Sequence, residues 1–102
     1  MRISVAGLSH LNSDGTSRQN YLCMCKVNDY MMLVRDSRNP YDPNAIKICN
    51  KNGQQIGFIP QALTREYASK LDSGARCTVV IVEITEPDEK GFKRCVISFD
   101  WL

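Results

Sequence analysis

With 102 residues, 43% of them hydrophobic and 24% charged, the chain has the make-up of an ordinary globular domain, enough for a single core spanning residues 1–102 and too little for two. A net charge of +2 is too small for the overall field to mark a nucleic-acid binder, so any basic site must be local. No apolar run approaches the length of a membrane span and residues 1–11 lack the apolar stretch of a signal peptide, which sets the expectation of a cytoplasmic chain with no membrane partner.

Residues 2–8 alternate Ile3 and Val5 with polar positions and end in Ala6-Gly7-Leu8, the pattern of a strand with Gly7 at a bulge or a close backbone approach. A polar loop over residues 9–15 follows and carries His10, the only histidine, with no serine or cysteine spaced to act beside it. Thr16-Ser17-Arg18-Gln19 fits a capping box, so a helix is expected from about Ser17 to Lys26, stopped by Asn28-Asp29. Residues 30–35, Tyr-Met-Met-Leu-Val-Arg, form a near-continuous apolar run too short for a helix and predict a buried strand.

The next stretch, residues 36–45, has Pro40 and Pro43 three positions apart. Proline fixes its own φ and drives the preceding residue out of the helical region, so Asn39 and Asp42 are biased to extended or turn conformations. A stiff loop between strands can hold Tyr41 and its short polar neighbours in a fixed geometry toward a ligand, or simply close on itself through Asx turns. Arg35 leads into the loop and suits either a carboxylate partner or a phosphate.

Residues 45–50 alternate again, with Ile46 and Ile48 on one face, and Asn52-Gly53 turns the chain into a second arm over residues 54–59. Gly57 lies between Ile56 and Phe58, where a side chain would obstruct an approaching group. Pro60 opens a helix expected to reach Asp72, with Leu63, Tyr67 and Leu71 along its inner stripe, an exposed Glu66–Lys70 pair and Gly74 as its stop. Residues 75–86 and 92–102 are β-rich arms of a terminal hairpin around residues 87–91, with Cys95, Ile97 and Phe99 sharing a face. About six strands joined by hairpins, with two helices, predict a mainly β fold: a small antiparallel barrel or curled sheet with helices at its ends.

The five cysteines are odd in number and have no secretory context, so reduced thiols are expected rather than a disulfide framework. Cys23-Met24-Cys25 with His10 invites a zinc reading, but no second paired cluster completes a ligand spacing, and neither a metal nor another cofactor is assigned. Gly-rich phosphate loops, metalloprotease or esterase signatures and spaced carboxylate pairs are all missing, so a binding module is favoured over an enzyme. Single-stranded nucleic acid needs aromatic platforms and cations, and Tyr41, Phe58 and Phe92 supply the first while Arg18, Arg35, Arg38 and Lys47 supply the second.

Taken together, residues 33–46 (Leu-Val-Arg-Asp-Ser-Arg-Asn-Pro-Tyr-Asp-Pro-Asn-Ala-Ile) and residues 52–60 (Asn-Gly-Gln-Gln-Ile-Gly-Phe-Ile-Pro) resemble the signature of the HIRAN domain. Ala6-Gly7-Leu8 and the helix start at Asp14-Gly15-Thr16-Ser17-Arg18-Gln19 extend the resemblance over essentially the whole chain. The resemblance implies a small OB-like β-barrel of the kind found in DNA translocases of fork repair and beside bacterial helicases and nucleases. It also implies binding of the 3′-hydroxyl end of single-stranded DNA: Tyr41 stacking on the terminal base, Asp42 accepting from the 3′-hydroxyl, Asn39 orienting that end and the backbone at Gly7 lying close. Relative to the DNA-end-binding member of the family, Ser9 and His10 replace an arginine and a tyrosine, and Gln61 replaces a phosphate-binding lysine, while Phe92 offers a second aromatic face. Docking onto a helicase, nuclease or phage protein, with the DNA groove degenerate, is the alternative.

Overall fold

The computed structural model describes residues 1–102, and its best-formed unit is the terminal hairpin. Strands β5 (Cys77–Ile84) and β6 (Cys95–Trp101) pair antiparallel, with Val79 opposite Phe99 and Ile81 opposite Ile97. Those four side chains are buried, as the alternation requires. Strand β1 (Arg2–Ser4) adds to the other side of β6 with Ile3 opposite Ile97, giving the sheet order β1-β6-β5.

The second sheet has the order β2-β3-β4, from β2 (Met32–Arg35), β3 (Ile46–Cys49) and β4 (Gln55–Phe58), again antiparallel. Isolated bridges join the two sheets at both edges: Ala6, just past β1, pairs with Phe58, and Tyr30, just before β2, pairs with Val80. The first junction exchanges Ala6 N–H to Phe58 O at 2.8 Å and Phe58 N–H to Ala6 O at 2.9 Å; near the second, Met31 N–H donates to Val79 O at 2.8 Å. The hydrogen-bonded circuit thus returns on itself around a core that includes Ile46, Ile48, Ile56, Ile81 and Ile97. Closing a sheet in this way leaves fewer raw strand edges for unwanted pairing.

The first junction also explains Gly57. A Cβ there would lie 2.5 Å from Val5 Cγ1 and 2.6 Å from the Ala6 carbonyl oxygen, so the group that approaches its backbone is the extension of β1.

Helix α2 (Gln61–Asp72) runs as expected, with Pro60 at its N-cap position and the Gly74 amide donating to Leu71 O at 3.0 Å beyond its end. Tyr67, on its buried face, has its ring centroid 4.8 Å from Phe99 and 5.3 Å from Trp101. Each such aromatic pair contributes about 0.5–1.5 kcal/mol beyond area burial and fixes the helix to β6. The Glu66–Lys70 pair forms at 3.7 Å on the exposed side.

Two expectations are corrected. Helix α1 spans only Arg18–Cys23, and its N-cap is Ser17, whose hydroxyl accepts from Asn20 N–H at 3.1 Å. Thr16 is unavailable as a cap because its hydroxyl and amide both donate to Asp14, and Gln19 reaches across to Leu8 O and to both backbone groups of Lys93. Strand β2, expected to be buried, is exposed on its outer face, where Met32 and Val34 remain 44% and 42% accessible. Neither helix covers that face, so a short apolar run indicated the strand correctly but not its burial.

Candidate functional site

The proline-bearing loop between β2 and β3 is held by hydrogen bonds of Asp36, Asn39 and Asp42. Asn39 Oδ1 accepts from Tyr41 N–H at 2.9 Å and Asp42 N–H at 3.1 Å, while its Nδ2 donates to Asp36 Oδ2 at 3.1 Å. Asp42 Oδ1 accepts from Asn44 N–H at 2.8 Å, and the loop base closes through Asp36 N–H to Ala45 O at 2.9 Å. These are the Asx turns that Asn and Asp next to proline favour. Arg35 braces the loop from behind: Nη1 donates to Ala45 O at 2.7 Å, Nη2 to Pro43 O at 3.1 Å and Nε to Asp72 Oδ1 at 3.0 Å. The aromatic group that the loop presents to solvent is the Tyr41 ring, 92% exposed.

Asp42 points toward α2, where the Thr64 hydroxyl donates to its Oδ2 at 2.9 Å. Thr64 is buried, and its hydroxyl, which also lies 3.0 Å from Gln61 O, ties the second carboxylate oxygen to α2. The carboxylate still has lone pairs for a further donor, since each oxygen can accept more than once.

In front of Tyr41 and Asp42 lies a cleft of about 640 Å³. It brings together most of the expected site residues: Asn39, Tyr41 and Asp42 from the loop, Gly7 and His10 from the segment after β1, Phe58 from β4 and Gln61 at the start of α2. Gly7 has φ +72°, so its backbone favours glycine, and a Cβ there would come within 2.8 Å of Arg18 Nη1 and push the guanidinium end aside.

Arg18 and Thr64 also line the cleft. Arg18 stood among the nearby cations without an assigned place, and Thr64 was not anticipated. Its position one turn after Gln61 on the same helix is the signal that could have found it. The Arg18 guanidinium lies over the Phe58 ring at 4.9 Å from its centroid and donates to Asn12 Oδ1 and to Gly7 O, each at 2.8 Å.

Two expected residues stand apart. Arg35 is committed to the back of the loop. Phe92 lines a separate groove of about 700 Å³ with Lys90, Lys93 and Arg94, and Leu8 and Ser9 also line that groove. The short segment carrying Gly7 and His10 therefore runs between the two depressions.

All five cysteines are free thiols. Burial pushes the Cys25, Cys49 and Cys77 thiols up from their ordinary value, and burial together with the nearby Cys25 pushes Cys95 up to about 12. These four behave as packing groups, since a raised pKa suppresses the reactive thiolate. No helix is long and apolar enough to cross a membrane.

Comparison with known proteins points one way. The family model described as HIRAN domain matches residues 1–101. Human helicase-like transcription factor is 44% identical over 53 residues, which are 52% of this chain and 5% of that protein, and the rabbit protein is 41% identical over a stretch of the same length. The matched stretch is thus a small part of those much longer relatives. Among solved structures, the HIRAN domain of human HLTF superposes with a TM-score of 0.69 at 28% identity, covering 97% of this chain and 73% of that one. A protein from Lactobacillus plantarum gives a TM-score of 0.73 at 20% identity over 97% of this chain and 91% of its own, a likeness of fold.

Proposed function

Because the chain belongs to the HIRAN domain family, we propose that it is a cytoplasmic, non-catalytic module that binds single-stranded DNA in DNA repair or processing, with the 3′-hydroxyl end seated in the Tyr41–Asp42 cleft. The observation that carries this reading is the pairing of an exposed aromatic ring with an immobilised carboxylate on one rigid loop. Tyr41 offers a face to the terminal base, a contact that contributes about 1–3 kcal/mol in single-strand binders. Asp42, acceptor only when ionised, takes a hydrogen bond from a 3′-hydroxyl and repels a 3′-phosphate. Asn39 acts through the loop, since its side chain is spent on Asp36, Tyr41 and Asp42. Gly7 lets the strand approach the backbone, His10 and Phe58 supply apolar walls, and Gln61 offers an amide.

Fluorescence anisotropy with matched oligonucleotides tests the reading. A hydrogen bond to a charged group contributes about 1.5–3 kcal/mol, so the 3′-hydroxyl ligand should bind about ten- to a hundredfold more tightly than the 3′-phosphate ligand, and Asp42→Ala should erase the difference. Equal binding of the two ends by the unaltered protein refutes end recognition.

The exposed side chains of Tyr30, Met32 and Val34 favour a second reading, docking onto a helicase or nuclease through the outer face of β2. Capture of such a partner by a protein that binds no oligonucleotide at low salt would replace the first reading with this one.

A further inference from the structure

The cleft contains an unneutralised buried charge. Arg18 is 8% exposed, yet its only side-chain hydrogen bonds go to two neutral oxygens, Asn12 Oδ1 and Gly7 O. The ion pairs of the chain involve Met1 with Asp100, Arg35 with Asp72 and Lys70 with Glu66, so no carboxylate lies within ion-pair distance of it. Burial draws its pKa below the ordinary value with nothing opposing the shift. A charge so placed is costly unless something pairs with it.

Not all of its donors are paired. A guanidinium has five N–H groups, and Nη2 has no acceptor in the protein. No side-chain nitrogen or oxygen is both fully buried and unpaired, so Nη2 reaches solvent, and the depression that Arg18 lines is the Tyr41–Asp42 cleft. Arg18 is also the single Lys or Arg among the residues lining that cleft. Asn12 and Gly7 fix its Nε and Nη1, and the Phe58 ring backs its plane, so the free edge is presented in one orientation. A planar fork held this way matches the two oxygens of a phosphodiester.

We infer that Arg18 is the phosphate receptor of the cleft, pairing with the phosphodiester on the 5′ side of the terminal nucleotide while Asp42 takes its 3′-hydroxyl. This assignment rests on the end-binding reading above. It gives the cleft two poles of opposite sign, so that a nucleotide enters in one direction only. It also explains why Arg18 lacks a carboxylate partner, because a resident anion would compete with the ligand.

The test compares an oligonucleotide carrying a normal terminal phosphodiester with one carrying a neutral methylphosphonate at that linkage, both ending in a 3′-hydroxyl. The unaltered protein should bind the neutral ligand about tenfold more weakly. Arg18→Gln should bind both equally, with a salt slope smaller by about 0.7, the value for one phosphate on a single strand. A purely structural Arg18 would weaken both ligands by the same factor and leave the charge preference in place, which overturns the assignment. Should Arg18→Gln fail to fold, the Arg18 Nε–H resonance of the unaltered protein, sheltered by Asn12, distinguishes the same two outcomes. It should shift with the phosphodiester ligand and stay in place with the methylphosphonate, and equal shifts would refute the inference. Binding to both ligands without charge preference defeats the Arg18 assignment while leaving end recognition intact, whereas absence of binding to any oligonucleotide defeats the underlying reading and this one with it.

Discussion

Gly57→Ala isolates the junction on which both the joining of the two sheets and the cleft depend. Gly57 does not lie at positive φ, so alanine meets no backbone penalty there, and the lost freedom of the unfolded chain would by itself stabilise the protein by about 0.4–1 kcal/mol. Steric opposition is larger. The new methyl would sit 2.6 Å from the Ala6 carbonyl oxygen, a backbone atom that cannot rotate away, and 2.5 Å from Val5 Cγ1. Overpacking of this kind costs about 1–3 kcal/mol, and pushing the β1 extension aside also endangers the two Ala6–Phe58 backbone bonds, at about 0.5–1.5 kcal/mol each. The net expectation is a loss of about 1–5 kcal/mol, and a 3 kcal/mol loss would lower Tm by ~12–24 °C in a domain of this size. Urea unfolding followed by the single tryptophan, Trp101, measures it. Because Ala6, Gly7 and Phe58 all line the cleft, oligonucleotide affinity should fall as well, even well below the melting temperature. A variant as stable as the parent, or more so, would refute the claim that β4 is packed backbone-to-backbone against the β1 extension.

Arg35→Lys should behave almost like Arg35→Ala, losing about 1–3 kcal/mol in urea unfolding, since an ammonium cannot reproduce the fork that reaches Ala45 O, Pro43 O and Asp72 together. Full stability in the lysine variant would show that charge, not geometry, holds the loop. Alkaline pH should also destabilise the fold. The Cys95 thiol titrates near 9 when unfolded and near 12 when folded, so above pH 9 the unfolded chain binds fewer protons, and the stability linked to this group, fully present below pH 9, is lost as pH rises toward 12. Cys25, Cys49 and Cys77 shift in the same direction and add to the slope. Urea midpoints between pH 7 and 11 check this: Cys95→Ala should flatten the alkaline limb, and an unchanged limb would remove Cys95 from the account.

The parts of the fold set by local rules were legible in the residues. Alternation gave the β5–β6 hairpin, Pro60 and Gly74 bracketed α2, and Asn39 and Asp42 beside their prolines announced the stiff loop. What could not be read was competition and cover. Thr16 matches a cap in sequence, but Asp14 takes its hydroxyl first, and the cap moves to Ser17. Tyr30, Met32 and Val34 look buried because the run is apolar, yet cover is decided by where the helices land. The same limit applies to the cleft. Thr64 was within reach of spacing, one turn after Gln61, whereas Arg18 enters the cleft only because α1 and the loop are brought together in space, a relation that no spacing along the chain encodes. Phe92 shows the converse, an aromatic residue close to the segment carrying Gly7 and His10 that opens onto a different groove.

These placements bear on how such a cleft discriminates. An internal stretch of single strand can offer a base to Tyr41 and a phosphate to Arg18, but no hydroxyl to Asp42, and it would instead bring its next phosphate against that carboxylate. With one Lys or Arg lining the cleft and a hydrogen-bonded carboxylate in the same lining, the electrostatic gain from a passing strand is small and the penalty for a misplaced phosphate is large. Hydrogen bonds within the protein hold the loop in this arrangement before any ligand arrives, so little of the binding free energy is consumed in ordering it. Under the proposed reading, selectivity for an end therefore comes from the fixed separation of two opposite charges rather than from the strength of either, and weakening the hold on Asp42 should blur selectivity before it abolishes binding.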